Sequence, residues 1–250
     1  MAGLDSARVV TVSNNNPNQT TQVMVWTVSA SGSISQQGAT LTLLESQLPA
    51  IAVINSSQLV VVQNYGNMPA LTVTAVAVDS AGLMLPQSED LYSDMLANGA
   101  NWFLQIASLG GTGFAVVYED QNYALNSSLW SVNESGLQTR LAMNDTGKPG
   151  MGVVANMGGQ AFTYAWVIDC PGCYAQGEFQ GDLWLDLFFG TYEIAASNTD
   201  GATPCTWGAA SANLSAASLP GSQVVTAESV WSNPPASACY LQLDIWSLSN

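Results

Sequence analysis

One pattern of apolar strands and small-residue turns occurs five times along the 250-residue chain, and this repetition limits its folds more than any other feature. Each repeat has a central strand rich in β-branched residues. The five central strands begin at Arg8, Leu59, Phe114, Ala161 and Gln223. Helical periodicity is rare, and Asp90–Leu96 is the one short stretch predicted to be helical. The chain is therefore predicted to be all-β.

A shared turn closes the third strand of the first three repeats. It reads V-x-x-[SA]-G and spans Val28–Gly32, Val78–Gly82 and Val132–Gly136. A looser fourth strand follows, so each unit is predicted to hold three or four antiparallel strands. We treat residues 1–250 as a single repeat domain. Its approximate repeats are 1–47, 48–97, 98–147, 148–200 and 201–250.

Units of this length and strand number resemble the tandem β-propeller repeats of secreted bacterial proteins. The resemblance covers nearly the whole chain and concerns its architecture. It implies a β-propeller-like array of about five units. The structural alternative is a stack of β-sandwich, Ig-like domains, as in pilus-type subunits that are completed by strand donation.

Charge is scarce and strongly acidic. The chain has 18 acidic residues, no histidine, and only three basic residues, Arg8, Arg140 and Lys148. Nucleic acid and anionic lipid both require clustered cations, so neither is an expected partner. No apolar run approaches the roughly 18 to 20 residues of a membrane-spanning helix.

The same composition argues against catalysis. Without histidine the chain lacks the commonest general base and every Ser-His or Cys-His arrangement. Acidic neighbours such as Glu89-Asp90 and Glu119-Asp120 leave a glycoside hydrolase as the open enzymatic alternative. We expect a non-enzymatic protein with no catalytic residue, no metal and no cofactor.

Four cysteines lie in the last third of the sequence, at Cys170, Cys173, Cys205 and Cys239. An even number in one region is typical of disulfides formed in an oxidising compartment, and three pairings are open. Our preferred pairs are Cys170–Cys173 and Cys205–Cys239, with a zinc site as the rival interpretation. The cysteines thus favour an extracellular or cell-surface location.

Six N-x-S/T sequons point to the same location. They begin at Asn18, Asn55, Asn126, Asn133, Asn144 and Asn213. We expect glycans on at least two of them. Asn126 and Asn133 are favoured because they flank a strand predicted to be short and exposed.

Tryptophans recur at one position of the repeat and are candidates for stacking on sugar rings. Trp26 and Trp130 lie two residues before the repeat valine, and Trp184 and Trp246 lie in the corresponding strands of later repeats. The position is Val76 in the second repeat, which favours packing between blades as the alternative role.

Both ends of the repeat array are predicted to leave a strand edge unpaired. The segment MAGLDSA is too short and polar for a good extra strand, and the fifth repeat stops at Leu241–Asn250 without its fourth strand. The predicted assembly edges comprise Val9, Val10, Val12, Leu241, Leu243 and Ile245. Pairing of such edges between copies would build a filament. The main hypothesis is therefore a structural or adhesive subunit of a fibre, sheath or pilus-like filament whose partners are copies of itself. The alternative is a glycan-binding β-propeller lectin.

Overall fold

The computed structural model describes most of the chain, with gaps that concentrate in its second half. The described ranges are 1–15, 19–44, 46–65, 70–92, 104–119, 124–156, 161–168, 178–187, 191–199, 214–219, 223–231 and 239–247. Within these ranges every regular element is a β-strand. They include no helix long and apolar enough to cross a membrane.

Eighteen strands follow one another in the described ranges. They are β1 (Ala2–Gly3), β2 (Arg8–Asn15), β3 (Thr20–Val28), β4 (Ile34–Leu43), β5 (Ser46–Asn55), β6 (Gln58–Tyr65), β7 (Leu71–Val78), β8 (Met84–Tyr92), β9 (Leu104–Gly110), β10 (Gly113–Glu119), β11 (Ala124–Val132), β12 (Gln138–Asn156), β13 (Ala161–Ile168), β14 (Glu178–Leu187), β15 (Thr191–Thr199), β16 (Leu214–Leu219), β17 (Gln223–Trp231) and β18 (Cys239–Ser247).

Each strand pairs antiparallel with the next strand in sequence within five meanders, which we call blades I to V. Blade I is β1–β4, blade II is β5–β8, and blade V is the three-stranded sheet β16–β18. Blade III runs from β9 to the first part of β12, which pairs with β11. Blade IV runs from Gly150–Asn156 of β12, which pair with β13, to β15. This succession of up-and-down sheets confirms the predicted all-β, propeller-like array.

The core lies between the faces of successive blades. In β6 of blade II, Leu59 and Val61 point into the core shared with blade I, while Val60 and Val62 point into the core shared with blade III. All four are fully buried. Burial of each such side chain contributes about 1.5–3 kcal/mol, and this explains why the strand is apolar at successive positions rather than alternate ones.

The V-x-x-[SA]-G pattern forms the same turn in blades I to III. In the second of these turns Asp79 Oδ1 accepts hydrogen bonds from the backbone N–H groups of Ala81 and Leu83, both at 2.8 Å. Gly82 follows at φ +79°, a left-handed conformation that glycine adopts without a Cβ penalty. Ser29 and Asn133 accept the corresponding bond in the other two turns.

Glutamines at equivalent positions connect the second and third of these turns to the preceding blade. Gln37 of blade I donates to the carbonyl oxygen of Ser80, and Gln87 of blade II donates to that of Glu134, both at 2.9 Å. Gln58 donates to the carbonyl oxygen of Asn133 at 2.8 Å. The turns therefore form a hydrogen-bonded rim across three blades, which we call the turn rim.

Arg8 has the same bridging role between blades I and II. Its guanidinium donates to the carbonyl oxygens of Asp79 at 2.9 Å and Ser56 at 3.2 Å, and to Asp5 Oδ2 at 2.6 Å. Asp5 also accepts backbone hydrogen bonds from Ala7 and Arg8. The bond from Ala7, followed by those from Arg8, holds the pKa of Asp5 below its ordinary value of 3.8.

Two local expectations need correction. The segment expected to be too short for a strand forms β1, where Gly3 and Ala2 pair with Val9 and Val10. The stretch predicted to be helical from Asp90 is instead extended through Tyr92, because β8 pairs with β7 along this length.

The two predicted assembly edges, in β2 and β18, differ in their pairing. In β2, Val9 and Val10 pair with β1, whereas Val12 pairs with Val23 of β3 and lies outside the pairing with β1. In the described part of the chain β18 pairs with β17 alone, through three residues of the predicted edge. These residues are Leu241, Leu243 and Ile245. Whether another copy pairs with either edge stays a prediction.

Candidate functional site

Four side chains meet in the cleft between β8 of blade II and β12 of blade III. Arg140 Cζ lies 5.8 Å from the ring centroid of Tyr92 and 5.9 Å from that of Trp130. Tyr92 approaches Trp130 edge-on, with centroids 4.7 Å apart. Trp130 stacks on Phe114 at 6.0 Å with an interplanar angle of 10°. We call these four residues the Arg140 cluster.

Strand periodicity explains why Tyr92 and Arg140 face each other. Alternate side chains of β8 point toward blade III, and alternate side chains of β12 point back toward blade II. Nearer the turn rim, Ser88 donates to the carbonyl oxygen of Gly136 and Gln138 Nε2 donates to Ser88 Oγ at 2.8 Å. Farther along the same two faces, Arg140 follows Gln138, and Tyr92 follows Ser88 and Asp90.

The Arg140 cluster has a buried floor and a reachable upper layer. Trp130 and Phe114 are fully buried, and Trp130 Nε1 donates to Ser128 Oγ at 2.8 Å. Arg140 and Tyr92 are half-buried. A ligand in this cleft would thus meet a guanidinium group and a phenol, supported from beneath by two stacked rings.

The cluster also places a positive charge in an acidic protein. Arg140 is one of three basic residues in a chain of net charge −15. Asp90 is half-buried on the same face of β8 as Tyr92. The cleft therefore combines hydrogen-bond donors, an acceptor and an aromatic surface.

The proposed acidic pair Glu89-Asp90 does not form a two-carboxylate site. Successive side chains of a strand point to opposite faces, and Glu89 is exposed whereas Asp90 is half-buried toward blade III. A glycoside hydrolase needs both carboxylates on the same glycosidic bond. For the other pair, Asp120 lies outside the described residues.

Trp130 does not fit the sugar-stacking hypothesis, because its ring is 0% exposed and both faces of the cleft enclose it. Trp26 is half-buried, and its Nε1 donates to Thr11 Oγ1 at 2.8 Å. Trp184 and Trp246 lie in β14 and β18, where they pair with Phe162 and Val224, but their side chains are outside the described part. Their role in binding stays a prediction.

The predicted glycosylation sites fall into two groups. Asn55 and Asn133 are exposed in turns, whereas Asn126 is 3% exposed in β11. The strand expected to be exposed is buried from Asn126 to Trp130. It is an inner strand of its sheet, and the face that carries Trp130 packs against blade II. Asn18, Asn213 and the side chain of Asn144 are outside the described residues.

The structure does not test the cysteine predictions. Cys170, Cys173 and Cys205 lie outside the described ranges, and of Cys239 only the backbone, in β18, is described. Both disulfides therefore stay predictions. Among the described residues no group of three His, Cys, Asp or Glu side chains could hold a metal ion.

Comparisons with known proteins concern the fold. No protein-family model matches the sequence, and no curated protein sequence matches it significantly. Solved structures do match. AofleA from Arthrobotrys oligospora is 8% identical, with a TM-score of 0.55, over 98% of this chain and 70% of that one. A triple arginine-to-alanine mutant of AofleA has a TM-score of 0.58 at 8% identity, over 96% and 66% of the two chains.

A lectin from Aleuria aurantia is also similar, at 10% identity and a TM-score of 0.44, over 98% of this chain and 76% of that one. It is described as a fungal lectin with a six-bladed β-propeller fold and a novel mode of fucose recognition. At such low identity these likenesses bear on architecture alone.

Proposed function

We propose that this protein is a non-catalytic, glycan-binding β-propeller protein, a lectin, and that the cleft of the Arg140 cluster is its binding site. The observation that carries the proposal is a half-buried guanidinium held against two aromatic rings between adjacent blades. This chemistry favours the lectin alternative over the fibre subunit, and one lectin of similar fold, at a TM-score of 0.44, is described in complex with α-methyl-L-fucoside.

The chemistry of the cleft suits a sugar. A guanidinium carries N–H donors in one plane, which suit the hydroxyl and ring oxygens of a sugar, and it cannot lose its charge. Tyr92 adds a half-exposed ring and a hydroxyl group, and Asp90 adds an acceptor. Ligand pockets combine apolar surface with a few such convergent polar groups.

The rings also hold the guanidinium in place. A cation over an aromatic face gains about 0.5–1 kcal/mol at exposed sites and about 2 kcal/mol when it is desolvated. Arg140 lies within about 6 Å of two such rings. Its side chain therefore loses less conformational freedom when a ligand binds than a free arginine side chain would.

The test is glycan binding by the wild type and by four variants. The wild type is screened against a panel of neutral and acidic glycans, and the best ligand is titrated by calorimetry. R140A removes a charged hydrogen-bond donor, and we expect the affinity to fall about tenfold to hundredfold. Y92A should weaken binding more than Y92F, because Y92F keeps the ring.

Thr139→Ala is the matched control, since Thr139 is exposed on the opposite face of the same strand. It should bind as the wild type does. Circular dichroism and the unfolding midpoint verify that each variant is folded. If no glycan binds the wild type, the proposed function is wrong. If glycans bind and R140A has wild-type affinity, the site lies elsewhere.

The fibre-subunit hypothesis retains one supporting feature, the outer edge of β18, where Ile245 is 66% exposed. Sedimentation of the wild type at increasing concentration tests it. A filament would give mass that grows with concentration, and substitution of Leu243 by proline, which removes an N–H donor, would reduce it.

A further inference from the structure

Three sequons have described asparagine side chains, and only two of these asparagines are accessible. Asn55 lies in the turn between β5 and β6, Asn133 lies in the turn between β11 and β12, and both are exposed. Asn126 is 3% exposed and is the third residue of β11. Accessibility therefore divides three equivalent sequence motifs into two groups.

The two exposed asparagines share one hydrogen-bond arrangement. Asn55 Oδ1 accepts from the backbone N–H and the hydroxyl of Ser57, both at 2.9 Å. Asn133 Oδ1 accepts from the backbone N–H of Leu137 at 2.9 Å and from the hydroxyl of Ser135 at 2.8 Å. In each case the hydroxyl belongs to the third residue of the sequon.

This arrangement leaves the modifiable atom outside the turn. The amide oxygen stabilises the turn as an acceptor, and none of the described hydrogen bonds at Asn55 or Asn133 uses Nδ2. A glycosylated asparagine keeps its carbonyl oxygen, so the turn bonds survive the modification. A sugar on Nδ2 would then extend from the turn into solvent.

Asn126 is placed in the opposite way. It pairs with Tyr118 on one side and Asp145 on the other, so both neighbouring strands cover its backbone. A branched polar glycan on this buried side chain would require the sheet of blade III to open. Burying so many polar groups without partners would unfold the blade.

We infer that Asn55 and Asn133 are N-glycosylated and that Asn126 is not. The donor is an oligosaccharide joined through C1 to a diphosphate, and a host glycosyltransferase is the catalyst. The Nδ2–C1 bond forms, the bond from C1 to the diphosphate oxygen breaks, the diphosphate leaves with the electron pair, and one amide proton passes to a base.

Both glycans would stand on the turn rim. Asn133 and Asn55 belong to adjacent blades that are joined there by the bond from Gln58 to the carbonyl oxygen of Asn133. Arg140 lies four residues after Gly136 of the turn, which is at most about 13 Å at the usual rise of a strand. The glycans would hydrate one rim of a protein that is only 8% charged and leave the Arg140 cleft open.

The experiment is a glycopeptide map of the protein secreted from a eukaryotic cell line and of the native material. Chymotrypsin replaces trypsin because the chain has three basic residues. We expect glycopeptides that contain Asn55 and Asn133, an unmodified peptide that contains Asn126, and a fall in intact mass after enzymatic deglycosylation. Unmodified Asn55 and Asn133, or a glycan on Asn126 in folded protein, would overturn the inference.

Matched variants separate loss of the sequon from loss of the fold. S57A and S135A remove the third residue of each sequon and should each remove one glycan, whereas S57T and S135T keep both the sequon and the hydroxyl and should retain it. N126Q should leave the intact mass pattern unchanged. If S135T loses its glycan, or S135A keeps it, the assignment of Asn133 is wrong. None of these outcomes depends on glycan binding by the Arg140 cleft.

Discussion

The turn rim permits a quantitative test with two glycines of equal conformation and different surroundings. Gly32 and Gly136 occupy the same position of the V-x-x-[SA]-G turn, at φ +82° and +87°. A Cβ built on Gly32 has no neighbouring atom within 4 Å. A Cβ built on Gly136 overlaps Cβ of Gln87, which is fixed to the backbone of β8.

The expected magnitudes follow from these surroundings. Alanine in the left-handed region costs about 1–2 kcal/mol at either position. Gly136→Ala must in addition displace Gln87, which donates to the carbonyl oxygen of Glu134 and accepts from Gln58. Two hydrogen bonds at about 1 kcal/mol each add about 2 kcal/mol. We expect Gly32→Ala to cost about 1–2 kcal/mol and Gly136→Ala about 3–4 kcal/mol.

Urea denaturation followed by tryptophan fluorescence measures both values, and thermal unfolding should show about 4–8 °C between the variants. Q87G removes the overlapping Cβ. The free energy of unfolding lost by G136A should therefore be smaller in the Q87G background, measured as Q87G/G136A against Q87G, than in the wild type. Equal destabilisation by the two single substitutions would refute the claim that the turn glycines are required for blade packing as well as for φ.

Three further predictions concern the core, the N-terminal ion pair and the cysteines. Trp130→Ala should lower the free energy of unfolding in urea by about 3–5 kcal/mol, and Trp26→Ala should lower it clearly less, because Trp130 is fully buried and Trp26 is half-buried. Equal losses would contradict the packing described. Folding lowers the pKa of Asp5, so the ionised carboxylate stabilises the fold above pH 3.8, and this stabilisation is lost as the pH falls through the lower folded pKa. Asp5→Asn should therefore lower the unfolding midpoint at pH 7 and have no effect well below pH 3.8. An effect of Asp5→Asn that persists at the low pH would argue against the ionised carboxylate. Reduction of a Cys205–Cys239 disulfide should cost about 2–5 kcal/mol, and a non-reducing peptide map that lacks this cross-linked pair would remove the prediction.

Local patterns were sufficient to predict the central strand of each repeat and the turn shared by the first three repeats. The residues of the Val78–Gly82 motif explain its turn, since an Asp side chain caps the turn and a glycine adopts the positive φ. Trp26 and Trp130 were also correctly assigned to equivalent positions of the repeat, as their pairing with Val9 and Phe114 shows. These properties depend on residues that are close in sequence or in register.

The Arg140 cluster was missed because it depends on contacts between blades. Tyr92 and Arg140 come from different repeats, and their meeting requires the orientation of two sheets as well as the register within each. The burial of Asn126 was missed for a related reason, since a polar, serine-rich strand is expected to be exposed unless sheets cover it. A signal was nevertheless present, because Arg140 is one of three basic residues in the chain and lies four residues after a turn glycine.

The pairing registers show that the cluster is a local addition to a repeated scaffold. In four blades the position of Trp130 pairs with one residue of the outer strand. These pairs are Trp26 with Gln36, Val76 with Pro86, Trp130 with Arg140, and Trp184 with Ile194. The first member is tryptophan or valine in all four pairs, whereas the second ranges from proline to arginine. Greater chemical variation at the second position is consistent with a core that preserves blade packing while the cleft between blades II and III acquires binding chemistry. Because only one of the four pairs carries a cation, we expect the calorimetric titration of the best glycan to give one Arg140-dependent site per chain. Two or more equal sites that R140A leaves intact would place recognition outside this cleft.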